Sequence, residues 1–90
     1  MPRGVRLKVQ GKRNQIGPRV KQLREERDLT QDMLSARLAH QTRDWADAPW
    51  VPTKLEIHRI EVGVRAVLDL ELIALARALD VKPSDLLPTA

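Results

Sequence analysis

Cysteine is absent from the 90 residues, which excludes disulfides, thiol catalysis and cysteine-ligated zinc and suits a reducing compartment. Phenylalanine and tyrosine are absent as well, and Trp45 and Trp50 are the only aromatics. The stacking platforms used on single-stranded nucleic acid are therefore poorly supplied. No apolar run approaches the roughly 20 residues that a bilayer needs; the richest stretch, around residues 68–79, is interrupted by Asp69, Glu71 and Arg77. The basic amino-terminal segment has no apolar run behind it and does not read as a secretory signal. These absences point to the cytoplasm and to no membrane association. A chain of this size buries only about 60–65% of its unfolded surface, so a single core with no large internal cavity is expected. His40 and His58 fall on different expected elements, no carboxylate pair has a pocket around it, and no phosphate-cradling glycine loop is present. No catalytic residue, metal site or cofactor is expected, and the chain does not read as an enzyme.

What is present is positive charge, unevenly placed. The formal net charge is +4, which favours an anionic partner. Residues 1–15 hold Arg3, Arg6, Lys8, Lys12 and Arg13 and no acid, whereas the remainder carries 11 bases against 12 acids. The chain thus divides into a basic, flexible arm over residues 1–15 and a nearly neutral domain over residues 16–88. The arm is suited to draping along a phosphate backbone and equally to serving as a solubilising tail. The alternation from Val5 to Val9 also suits a short strand.

Beyond the arm the periodicity is helical. Ile16, Val20 and Leu23 share a face, and Pro18 suits a first turn, so a helix running to about Arg27 is expected. Thr30 caps a second helix with Leu34 and Leu38 on one face. Between Gln41 and Pro52 the pattern fails, and Pro49 and Pro52 enforce a long loop that holds both tryptophans. Thr53 caps a third helix, Lys54–Glu61, with Ile57 and Ile60 inward, and Gly63 supplies a left-handed stop. Asp69 is expected to cap a fourth helix with Leu72, Ile73, Ala76 and Leu79 on its apolar face. A short fifth helix is expected from Pro83 through Leu87. The class is all-α.

The run from Thr30 to Ala39, then Ile57-His58-Arg59-Ile60-Glu61-Val62-Gly63, resembles the Cro and phage-repressor (XRE-type) helix-turn-helix family. Leu75-Ala76-Arg77-Ala78-Leu79-Asp80-Val81 and Pro83-Ser84-Asp85-Leu86-Leu87 are similar to that family's closing helices. The link between the second and third helices is longer than the usual turn of about 3–4 residues. Trp50-Val51-Pro52-Thr53 is similar to the extended-turn variant of the family. The resemblance implies a compact five-helix, lambda-repressor-like domain that binds double-stranded DNA as a transcriptional regulator. It also implies a phosphate contact from Gln31 and an ion pair between Arg24 and Glu61 that sets the third helix; Thr53, the cap of that helix, is a further phosphate candidate.

A helix in the major groove reads base edges through donors, acceptors and methyl contacts. On the third helix, Lys54 and Arg59 suit guanine, Glu56 suits the cytosine amino group and Leu55 suits a thymine methyl; Arg19 and Arg65 suit phosphate. A single domain reads few base pairs, so a homodimer with two reading helices about 34 Å apart is expected. The rival reading is a protein-interaction module, an antitoxin or adaptor, that presents Trp45 and Trp50 to a protein partner.

Overall fold

The computed structural model describes residues 11–88. The readings made for residues 1–10, including Arg3, Arg6, Lys8 and the alternation from Val5 to Val9, lie outside the described residues. Four α-helices follow one another, α1 (Gly17–Glu26), α2 (Gln31–Gln41), α3 (Lys54–Glu61) and α4 (Asp69–Ala78), and a single 3-10 turn (Pro83–Asp85) closes the order. No strand occurs among the described residues, so the class is all-α.

Local chemistry starts and stops these helices where the backbone leaves donors and acceptors unpaired. The Asn14 carboxamide oxygen accepts from Ile16 N and Gly17 N at 3.1 and 2.8 Å, and Pro18 falls in the first turn of α1. Asp28, at φ 54°, turns the chain out of α1, while Leu29 N donates to Arg24 O at 3.1 Å. Aspartate is among the few residues that tolerate this left-handed conformation. Thr30 caps α2 by accepting from Met33 N at 3.0 Å. Thr53 and Glu56 cap α3 reciprocally: Glu56 N donates to Thr53 Oγ1 at 3.1 Å and Thr53 N donates to Glu56 Oε1 at 3.3 Å. Gly63, at φ 84°, ends α3. Replacing Thr30 with Ala is expected to cost about 1 kcal/mol, read as a lower urea midpoint with an unchanged slope.

The helices close over one core of Ile16, Val20, Leu23, Leu29, Leu34, Leu38, Ile57, Leu75, Leu79 and Leu86. In it α1 packs on α3, α2 packs on both α3 and α4, and the 3-10 turn packs on α4. The α4 register differs from the expectation. Leu68 is its N-cap, Asp69 is its first residue, and the cap is closed by Leu68 N donating to Glu71 Oε1 at 3.0 Å. Ala74, Leu75, Ala76, Ala78 and Leu79 are buried, whereas Ile73 is exposed and Leu72 only half-buried. The many apolar residues of α4 allow several faces, and contact with α2 selects the small-residue one. The expected fifth helix is one 3-10 turn. Lys82 N donates to the Asp85 carboxylate at 3.0 Å, and the few residues between Pro83 and Pro88 cannot repay helix nucleation.

Residues 42–53, between α2 and α3, are fastened inward. Thr42 is fully buried; its hydroxyl donates to Leu38 O at 2.8 Å and accepts from Trp50 N at 2.6 Å. The Ser35 hydroxyl donates to Pro52 O. Trp45 and Trp50 stack in parallel with centroids 6.4 Å apart, and both pack against the core.

Candidate nucleic-acid interface

Helix α3 is held from behind by fully buried Ile57 and Ile60, which leaves Lys54, Leu55, His58 and Arg59 exposed. Beside it lies an open groove lined by Arg13, Thr53, Leu55, Glu56, Arg59 and Arg65, with Val64, Ala66, Leu68 and Glu71 completing its walls. Five of the expected site residues therefore share one surface. Lys54 is exposed at the first position of the same helix. Arg19 lies elsewhere: its Nε donates to Asp85 O at 3.1 Å, against the 3-10 turn.

Behind the surface is a polar cluster centred on Glu61, only 5% exposed. Arg24 donates from Nε to Oε2 at 2.6 Å and from Nη2 to Oε1 at 3.1 Å, and from Nη1 to Leu29 O at 2.7 Å. Gln31 Nε2 donates to the same Glu61 Oε1 at 3.2 Å. The start of α2, the end of α3 and the last turn of α1 thus meet on one carboxylate. Hydrogen bonding to Glu61, opposed by burial, raises the Arg24 pKa above the ordinary arginine value. Arg65 is held in a similar way. It donates from Nη1 and Nη2 to the two Glu71 oxygens at 2.9 and 3.0 Å, and this bonding raises its pKa against the burial cost.

Three residues support the end of α3 through contacts that the sequence did not announce. Asn14, besides capping α1, donates from Nδ2 to Ile60 O and Arg65 O at 3.0 and 2.8 Å. Arg13 N donates to Gly63 O at 2.8 Å, and Lys12 Nζ donates to Val62 O at 3.0 Å. The last part of the basic stretch, assigned to the flexible arm, is therefore bonded to the end of α3. An asparagine shortly before Pro18 carried a helix-start signal, and Glu71 three residues after Leu68 carried a capping-box one. The contacts with residues 60–65 had no local signature.

No protein-family model and no curated protein matches the chain. Among solved structures, the fold is similar to that of the restriction-modification controller protein C.AhdI from Aeromonas hydrophila. The TM-score is 0.62 and the sequence identity is 26%, over 80% of this chain and 91% of that chain. This likeness supports the resemblance to a helix-turn-helix DNA-binding family that the sequence carries. Set against a helix-turn-helix, α2 and α3 stand where the paired helices do, and residues 42–53 take the place of the short turn. No helix among its described residues is long and apolar enough to cross a membrane.

Proposed function

We propose that this protein is a sequence-specific double-stranded DNA-binding transcriptional regulator of the XRE type, repressor-like and cytoplasmic, that reads the major groove with α3. The observation that carries the reading is the exposed face of α3, with Lys54, Leu55 and Arg59 presented on a helix whose other face is locked by Ile57, Ile60 and the Glu61 cluster. A reading helix must be rigid, because base discrimination depends on donor positions that do not yield. Lys54 and Arg59 donate to guanine, Leu55 meets a thymine methyl, and Glu56 accepts from cytosine while keeping its capping bond. Thr53 and Gln31, at the starts of α3 and α2, approach phosphate, aided by the helix amino-terminal dipoles. Arg19 and Arg65 remain the outer phosphate candidates. Two copies place their reading helices one helical turn apart on an inverted repeat. The interaction-module alternative draws on Trp45 and Trp50; what weighs against it is that both rings pack against the core rather than standing free.

The test is selection of duplexes from a randomised pool, followed by titration of the winner and a scrambled duplex over a salt series. The expected affinity ratio is at least about 10³, with an inverted repeat among the winners. A ratio near one, with affinity vanishing as salt rises, would leave only non-specific electrostatics and favour the protein-interaction reading. Arg59→Ala is expected to lower affinity for the selected duplex by about tenfold or more while leaving melting nearly unchanged, because the side chain is exposed.

A further inference from the structure

In a short helix-turn-helix the turn itself sets the angle between the two helices. Twelve residues, 42–53, cannot do so by length alone, since a flexible connection of that size admits many end-to-end arrangements. Something outside the loop must hold it against the start of α3. Arg65 is placed for that task. Its guanidinium bonds both oxygens of Glu71 on α4, donates to Ala66 O at 2.9 Å, and lies 3.8 Å from Glu56 Oε2 on α3. It also lies 5.6 Å from the centre of the Trp50 ring, which in turn stacks on Trp45. One cation therefore touches α3, α4 and the loop. Only a planar guanidinium combines a two-pronged carboxylate contact with a face for an aromatic ring; an ammonium is a point charge.

The geometry points to Arg65 as a positioning residue for DNA reading, one that clamps the tryptophan loop and Glu56 together so that Thr53, Lys54 and Leu55 meet DNA in a single arrangement. This rests on the DNA-reading function proposed above. A plainer role is available to the same side chain: Glu71 is only 7% exposed and needs a cation nearby. The two roles separate experimentally, because neutralising Glu71 requires charge alone, whereas clamping requires the planar group.

Two variants make the separation. Arg65→Lys keeps the charge beside Glu71 and loses the fork and the stacking face. The double variant Arg65→Gln with Glu71→Gln removes cation and buried anion together, and the new amide still accepts from Leu68 N. Both are titrated with the selected and scrambled duplexes, and the indole N–H cross-peaks of Trp45 and Trp50 are followed by NMR. The expected result in both is a roughly tenfold smaller ratio of selected to scrambled affinity. The two cross-peaks are expected to move toward the position of an unstacked tryptophan. If Arg65→Lys keeps the wild-type ratio and both cross-peak positions, charge is sufficient and the clamp is overturned. The same outcome in the double variant overturns it independently, should Arg65→Lys fold poorly. A wild-type protein that does not discriminate between the duplexes removes the DNA-reading function instead, and the cross-peaks alone then decide whether Arg65 holds the loop.

Discussion

Glu61→Ala is expected to destabilise the protein by about 3 kcal/mol, the scale found when one partner of a buried ion pair is removed. For a domain of this size that corresponds to roughly 15 °C in melting temperature. The carboxylate accepts two bonds from Arg24 and one from Gln31. Its loss strands a guanidinium whose side chain is only 11% exposed. Arg24 retains its bond to Leu29 O, which limits the cost but leaves the end of α3 without its tie to α1 and α2. Affinity for the selected duplex is expected to fall about tenfold at a temperature where both proteins are fully folded, although Glu61 itself does not touch DNA. Glu61→Gln, which keeps the shape and one acceptor, is expected to lose less. An unchanged melting curve together with unchanged affinity would show that the cluster does not orient α3. The pH dependence on the arginine side follows from the raised Arg24 pKa. Its stabilisation is fully present below the ordinary arginine value and lost only as pH rises through the higher folded-state value. Raising pH from neutrality into the mildly alkaline range will therefore not dissolve the pair by deprotonating Arg24.

Gly17→Ala is the second large effect, and its sign opposes helix propensity. Alanine in an exposed helix is better than glycine by about 1 kcal/mol, and Gly17 is the first residue of α1. Here a β-carbon would run into the carbonyl oxygens of Ile60 and Glu61. Those atoms belong to the backbone of α3 and cannot swing aside as a side chain can. The helices must separate, at a cost of about 2–3 kcal/mol by the scale of overpacked sites, read from urea unfolding. The displacement is directed at the segment that Asn14 and Arg24 hold. A variant combining Gly17→Ala with Glu61→Ala is therefore expected to lose less stability than the two single losses added together, since both loosen one contact. A neutral or stabilising Gly17→Ala would mean that α1 and α3 slide apart freely.

These two positions mark different depths of legibility. Glu61 was singled out through family resemblance, because a helix-turn-helix pattern places an acid at the end of α3 opposite Arg24. Gly17 carries no comparable mark, and nothing near it in the chain announces that another backbone passes within a β-carbon's reach. The groove beside α3 divides similarly. Thr53, Leu55, Glu56, Arg59 and Arg65 were recognised from the sequence; Arg13 was read only as part of the basic arm, and Glu71 was given no role. Arg65 and Gln31 were recognised as polar residues suited to phosphate, yet the fold gives each a carboxylate partner.

By itself the sequence determined the helical class, the caps at Thr30 and Thr53, the left-handed stop at Gly63 and the inward faces of α1 to α3. Each of these depends on residues within about one or two helical turns of one another, where side-chain chemistry meets unpaired backbone groups or a period of 3.6 residues repeats. Tertiary structure alone decided which face α4 buries, how residues 42–53 are tied down, and which polar groups find one another across the fold. Glu61 meets Arg24 and Gln31 from 37 and 30 positions away, and Asn14 reaches Ile60 and Arg65 across 46 and 51. Local periodicity cannot encode contacts of that span, because they exist only once burial in the common core has brought the helices together.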